Sequence, residues 1–490
     1  MLEKIFKPYL SRLYVAAPLC LVAGLISAFA MAPHNLCFTL FIGIACLYTS
    51  LHYAKNKRRK FALGWLFGFG YFVMSLSWIG NALLVEGNPY KWAWPLAVSG
   101  LPAALALFIG TLCILTHWVK LDKFLGLLTF CGLMIGSELL RGYLFTGFPW
   151  NLFGYSWADI LSIAQIASLG SIYILSAITI FWASSIGFAL IAKKHLALTA
   201  LTISLISFLA CFAYGQYRID STEITYKEGV MARLVQPNIN QADKWDPRKT
   251  ADHFSKLLQL SYYDGSEQAA ENFTYIIWPE TAIKGWYLQD RGSLGALKAM
   301  LNSYPKGAAI ITGALLFDES DKSYSNSIIM IDSDGQISNR YNKSHLVPFG
   351  EYIPFQKWIP LETITQFTGF KRGNGPEIYN TQQNLSYSPL VCYEILFPHN
   401  ALPKNKKADF IVNVTNDAWY GISAGPYQHF TLARFRAIET GTSVLRVANT
   451  GITGAIDPLG RVISSSTLFT PSYLNINLPN SVDFHAIGNN

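Results

Sequence analysis

Residues 196–236 read LALTALTISLISFLACFAY (196–214), GQYRIDSTEITYKEG (215–229) and VMARLVQ (230–236). The first piece is an uninterrupted apolar run long enough to cross a bilayer. The second is charged and polar. The third is short, apolar and rich in valine, the pattern of a buried strand. One kind of chain ends after Tyr214 and another begins, so the reading proceeds outward from that point in both directions.

Residues 1–214 hold 14 Lys+Arg against 5 Asp+Glu, a net +9, whereas residues 215–490 hold 24 against 25, a net −1. The whole chain is 51% hydrophobic and only 14% charged. Soluble domains run near 25% charged, so an ordinary soluble multidomain protein is excluded, as are disordered and collagen-like chains. The overall +8 lies entirely in the apolar part. There it reads as a topology code, and no nucleic-acid partner is expected.

Seven membrane spans are predicted, at 13–30, 36–54, 61–85, 93–118, 124–145, 168–192 and 196–214. The first has signal-peptide features, with Lys4, Lys7 and Arg12 ahead of it and Ala28-Phe29-Ala30 at its end. Its length and the spans that follow favour an uncleaved anchor. Basic loops (Lys55, Lys57, Arg58, Arg59, Lys60; Lys120 and Lys123; Lys193 and Lys194) alternate with loops poor in Lys and Arg. The positive-inside rule puts the basic loops and the N-terminus in the cytoplasm. Residues 215–490 then lie across the membrane, in the periplasm of a bacterium. The loop Gly147-Phe148-Pro149-Trp150-Asn151 with Gly154-Tyr155 reads equally as an interfacial aromatic belt or as the lipid-facing wall of an active site. Glu138 and Arg141, three residues apart, are placed to pair at a helix end.

In 215–490, strand candidates (230–236, 273–278, 308–315, 326–332, 389–392, 409–415, 443–448, 452–457) alternate with helix candidates (247–263, 290–303, 393–401, 426–440). This is an α/β domain. The long connection 355–376 carries Phe355, Trp358, Ile359, Phe367 and Phe370. Six of the seven cysteines (Cys20, Cys37, Cys46, Cys113, Cys131, Cys211) fall in predicted spans, where they act as small apolar residues. Cys392 alone lies in the second part.

Three segments there combine into chemistry: Trp278-Pro279-Glu280-Thr281, the stretch from Tyr341-Asn342-Lys343-Ser344-His345 to Pro348-Phe349-Gly350-Glu351-Tyr352, and Val391-Cys392-Tyr393-Glu394. A thiol is only a few per cent ionised at neutral pH, so attack on an acyl group needs a base. Glu280 can be that base. Lys343, with the backbone N–H of Tyr393 at a helix N-terminus, can stabilise the oxyanion. A Cys392–His345 dyad is the weaker scheme, and His345 more readily braces the lysine loop. No His/Cys spacing suggests zinc and no Gly-rich loop suggests a nucleotide, so no cofactor is expected.

These motifs resemble the Glu-Lys-Cys triad of the nitrilase (carbon–nitrogen hydrolase) superfamily. With GFPWN at 147–151, QPNINQADKW at 236–245 and the spans ahead of them, they resemble its membrane branch, the apolipoprotein N-acyltransferases. The resemblance implies an αββα sandwich joined to a bundle of membrane helices in the inner membrane. It implies ping-pong transfer of an acyl chain from a phospholipid, typically phosphatidylethanolamine, through a thioester on Cys392. The acceptor would be the α-amine of a diacylated apolipoprotein. Glu351, Tyr393, Glu394 and Trp245 match supporting positions. Glu351 would orient the site or assist proton transfer, Glu394 would hold the lysine or its loop, and Trp245 and Tyr393 would contact substrate, each with packing as the alternative role. The family commonly ends in a further span, whereas no 18-residue apolar run follows Ile463; the C-terminus is therefore expected on the same side as the second domain.

Two other functions fit parts of the pattern. One is a membrane-tethered amidase or nitrilase using water as acceptor. The other is a non-catalytic lipid-binding membrane protein or transporter, disfavoured by the scarcity of ionisable residues in the spans. The composition of 355–376 further suggests a lid that dips into lipid. Replacing Phe367 and Phe370 with Ser is expected to lower phospholipid-dependent acylation, and unchanged acylation would discard the lid.

Overall fold

The computed structural model describes residues 2–86, 88–320, 322–352 and 369–482. The expected lid largely falls outside them. The chain forms two compact units. The first takes in Met1–Leu84, Asn88–Ser221 and Ser423–Thr431; the second takes in Val85–Gly87, Thr222–Ile422 and Leu432–Asn490.

The first unit is helical. Among the described residues, six helical stretches are long and apolar enough to cross a membrane: Leu13–Ala30, Lys57–Leu84, Lys91–Trp118, Phe124–Thr146, Ile172–Ile191 and Lys194–Ser221. The expected span at 36–54 is the shorter helix Cys37–Tyr53, of 17 residues. The final helix does not stop at Tyr214 but runs to Ser221, and its buried Arg218 donates to the carbonyl of Gln165 at 3.2 Å. Small residues let the helices touch: a Cβ on Gly24 would lie 2.0 Å from the carbonyl oxygen of Phe67.

Several buried polar groups in this unit have clear partners. Lys60, one of the basic-loop lysines, donates to the carbonyls of Leu51 (2.9 Å) and Thr116 (3.3 Å). Glu138 and Arg141 form a buried pair at 4.0 Å. Both also contact the aromatic loop. The N–H of Phe153 donates to Glu138 (2.7 Å), and Arg141 donates to the carbonyls of Phe148 and Trp150 (2.7 and 2.6 Å). The loop is accordingly neither a belt nor a lipid-facing wall, because Trp150, Phe153, Tyr155 and Trp157 are buried in the unit. Gln428, from the 423–431 segment of the same unit, accepts from the indoles of Trp78 (3.0 Å) and Trp150 (2.8 Å). Its amide donates to the carbonyls of Ser75 and Ala32.

Among the described residues, the second unit contains twelve strands: β1 (Tyr226–Gln236), β2 (Phe273–Lys284), β3 (Ala308–Asp318), β4 (Ser323–Ile331), β5 (Ile337–Asn342), β6 (Tyr379–Asn380), β7 (Ser386–Val391), β8 (Phe410–Thr415), β9 (Ser443–Ala448), β10 (Gly454–Ile456), β11 (Val462–Ser465) and β12 (Ser472–Pro479). They form two six-stranded sheets, ordered β12-β1-β2-β3-β4-β5 and β11-β10-β9-β8-β7-β6. Each sheet has three parallel central strands (β1–β3 and β7–β9) and antiparallel flanks. Alternate residues of both sheets meet in one core, with Leu234, Ile277 and Ile311 from the first and Val412, Val414 and Leu445 from the second. The opposite face of the first sheet is covered by helices Thr250–Ser261 and Arg291–Leu301, through Leu257, Leu258, Leu297 and Met300. The domain is a two-sheet α/β sandwich with helices on the outer face of the first sheet.

The expected helix at 393–401 is absent as an α-helix. Two short 3₁₀ turns, Cys392–Leu396 and Pro398–Asn400, take its place, because Pro398 holds Phe397 in an extended conformation. Fully buried Trp278, which donates to Ser261 Oγ at 2.7 Å, packs the helix-covered face. Trp278→Ala is expected to destabilise the second unit by about 3–5 kcal/mol, read as a lowered unfolding temperature of the detergent-purified protein.

Candidate active site

Glu280 was expected just after a strand, but it sits inside one. In the β2–β3 ladder Trp278 pairs with Thr312 and Ile283 with Ala314. Residues 279–282 therefore bulge opposite Gly313 alone, with Thr281 at φ +51°. Such a bulge turns a side chain out of the ladder. It needs glycine on the partner strand, since a Cβ on Gly313 would lie 2.5 Å from the Glu280 Cα and from the Pro279 carbonyl oxygen.

Lys343 follows β5, and its N–H still donates to the Asn326 carbonyl at 2.8 Å. The side chain is buried and its ammonium lies 2.9 Å from each Glu351 oxygen. Burial pulls the lysine down, but Glu351 and then Glu280 outweigh it and hold it above the ordinary lysine range. Glu351 is fixed in turn by the N–H of Val347 (2.8 Å). The side-chain amide of Asn326, on β4, donates to Glu280 (2.7 Å) and to Glu351 (3.0 Å), tying the two carboxylates together.

Cys392 begins the turn after β7, at φ +50°, a left-handed conformation uncommon outside glycine. Burial pushes its thiol up to about 12, and Glu280 pushes the same way; Lys343 and a hydrogen bond with Thr415 oppose them. Thus Glu280, Lys343 and Cys392 come within electrostatic reach of one another. Because the turn is 3₁₀ and only five residues long, it supplies no α-helix N-terminus for an oxyanion.

Glu394 is buried and ties the lysine loop to the cysteine turn. One oxygen accepts from Tyr341 Oη (2.7 Å), Ser344 N (2.8 Å), Ser344 Oγ (2.7 Å) and His345 N (3.1 Å). The other accepts from Val391 N at 2.8 Å. The carboxylate thus meets the loop rather than Lys343 itself. Tyr393 is buried against His345 and Phe397, and the imidazole of His345 stacks on Phe397 at 3.9 Å. Trp245 is half-buried, with the Lys284 ammonium 5.4 Å from its ring.

Four further groups, absent from the sequence reading, adjoin the triad. Asn326 is one. Asp417 and Arg446 form a fully buried pair at 2.7 Å, with Asp417 accepting from Thr415 Oγ1 at 2.9 Å. Lys244 donates to the backbone carbonyl of Glu280 at 3.0 Å.

Residues 23–185 match the apolipoprotein N-acyltransferase N-terminal domain, and residues 231–482 match the carbon–nitrogen hydrolase family. An apolipoprotein N-acyltransferase of Allorhizobium ampelinum is 37% identical over 471 residues, covering 92% of this chain and 88% of that protein. The chain belongs to the apolipoprotein N-acyltransferase family. A further member, from Rickettsia typhi, is 35% identical over 476 residues, covering 95% of this chain and 92% of its own. Among solved structures, a carbon–nitrogen hydrolase superfamily protein of Xanthomonas campestris aligns over 51% of this chain and 90% of its own, at 20% identity and a TM-score of 0.37. As expected of an apolipoprotein N-acyltransferase, this is a membrane protein with apolar helices and an α/β domain.

The bulge at Glu280 generates a test. Gly313→Ala forces the Glu280 backbone away from β3, and a displacement of about 1 Å is expected to slow modification of Cys392 by iodoacetamide about 100-fold. Peptide mass spectrometry at Cys392 reads the rate.

Proposed function

We propose that the protein transfers a fatty acyl chain from a membrane phospholipid to the N-terminal α-amine of a diacylglyceryl-cysteine apolipoprotein, through a thioester on Cys392. The observation that carries this reading is the coupling of the Cys392 thiol to both Glu280 and Lys343 in a chain with, among the described residues, six helices apolar enough to span a bilayer. Family membership supports the substrate classes.

In the first half-reaction Glu280 takes the thiol proton as Sγ attacks the ester carbonyl carbon of the donor. The Lys343 ammonium stabilises the oxyanion. The ester C–O bond then breaks, and the lysophospholipid leaves as an alcohol with the proton from Glu280. In the second, the α-amine attacks the thioester, Glu280 takes the amine proton, and the thiol departs with it, leaving an amide. Glu351 orients Lys343, Glu394 holds its loop, and Trp245 and Tyr393 face the substrates. Phosphatidylethanolamine is the proposed donor. The basic loops support a cytoplasmic N-terminus and a periplasmic catalytic domain at the bacterial inner membrane.

Intact-mass detection of detergent-purified protein with labelled phosphatidylethanolamine tests this. One acyl mass is expected on Cys392, discharged by a diacylated lipopeptide, and Cys392→Ser is expected to form no thioester. Hydrolysis with no transfer would point to an amidase, and no adduct at all would point to a lipid-binding protein.

A further inference from the structure

Of the motif QPNINQADKW, the proposed mechanism uses only Trp245, yet its neighbour Lys244 is the more deeply buried residue. Lys244 lies in the turn after β1. Its ammonium donates to the backbone carbonyl of Glu280 at 3.0 Å. It also lines, with Glu280, His253, Lys284 and Tyr287, a small cavity on that side of the glutamate.

Charge counting gives this lysine a task. Glu280 and Glu351 share the Asn326 amide, but Lys343 is the only cation bonded to that carboxylate pair in the network described above. Two buried carboxylates and one bonded ammonium leave a negative charge without a bonded cation, and a low-dielectric site favours a counter-charge beside it. A proton on Glu280 would abolish it as a base. Lys244 is the second cation within electrostatic range. Burial pulls it down to about 8, Glu280 and Cys392 pull it back up, and Lys284 pulls it down. The other groups facing Glu280 are Asn326, Lys343, Cys392 and Tyr420; on the cavity side they are His253 and Lys284.

We propose that Lys244 is a positioning residue for the reaction: its buried ammonium, anchored on the Glu280 carbonyl, balances the second carboxylate and keeps Glu280 ionised to accept the thiol proton. This rests on the reading of Glu280 as the base.

The test is the rate of Cys392 alkylation by iodoacetamide against pH, read on the Cys392 peptide in the full-length detergent-purified protein. Lys244→Met removes charge and hydrogen bond. Lys244→Gln keeps a donor for the Glu280 carbonyl and removes the charge alone. Lys244→Arg keeps both. In the Met and Gln variants the acidic limb is expected to move to higher pH by about one unit or more, with a roughly tenfold or greater loss of rate on that limb. The Arg variant is expected to keep the wild-type limb. A limb that stays in place in Lys244→Gln overturns the proposal, and so does an equal loss in all three variants with no shift, which would mark a packing role. Should Lys244→Met fail to fold, the Gln and Arg pair carries the comparison. Alkylation needs no acyl donor, so the two readings separate. A shifted limb without any acyl-enzyme would sink the acyltransferase reading alone, and acyl-enzyme with an unmoved limb would sink this one alone.

Discussion

The carboxylate of Glu394 accepts from three residues of the lysine loop with one oxygen and from the last residue of β7 with the other. The loop leaves the edge of one sheet, and the cysteine turn leaves a strand of the other. Without a shared partner, nothing in sheet pairing would hold Lys343 and Cys392 at a constant separation. A buried carboxylate that accepts five hydrogen bonds is well stabilised without a cation, so Glu394 joins the two halves and adds no lysine of its own to the site. Deleting it would orphan several buried donors at about 1–3 kcal/mol each. The positions of Lys343, His345 and the turn at Cys392 all follow from it.

Glu351 does the equivalent work one layer further on. It grips the Lys343 ammonium with both oxygens and, through Asn326, fixes the oxygen of Glu280 that the same amide reaches. The site is thus a set of carboxylates, each with its own restraint, around a thiol that touches the network through charge. The Asp417–Arg446 pair near Thr415 adds one anion and one cation, a balance that alters the field at Cys392 less than either ion alone would.

Much of this arrangement was legible in the sequence, and the remainder failed for identifiable reasons. The parallel central strands are continuous apolar runs, and seven helical segments stood out by length and composition. Strands β5 (ISNRYN) and β12 (SYLNINLP) escaped notice because both are sheet edges with polar, partly exposed positions. The helix expected at 393–401 had apolar Ile395, Leu396 and Phe397 in its favour, but Pro398 overrode them. The end of the last apolar helix was placed too early because the apolar run stops at Tyr214; the guanidinium of Arg218 beyond it instead found a carbonyl inside the unit. Among site residues, the Glu, Lys and Cys motifs were conspicuous as runs of unusual residues. Asn326, Lys244, Asp417 and Arg446 are single polar positions in strands or turns, and only their three-dimensional neighbours distinguish them. The signal that could have raised Asn326 is a polar amide opening an otherwise apolar strand, NSIIM.

The high proton affinity of Cys392 bears on durability as well as on rate. Oxidants and disulfides react with thiolates, and a buried thiol held in its neutral form offers them little. Burial and the neighbouring Glu280 both push the Cys392 thiol up, so oxidants meet it mainly as the neutral thiol. Slow oxidation at rest and the need for a neighbouring base would then share one physical cause, the burial of a sulfur beside a carboxylate.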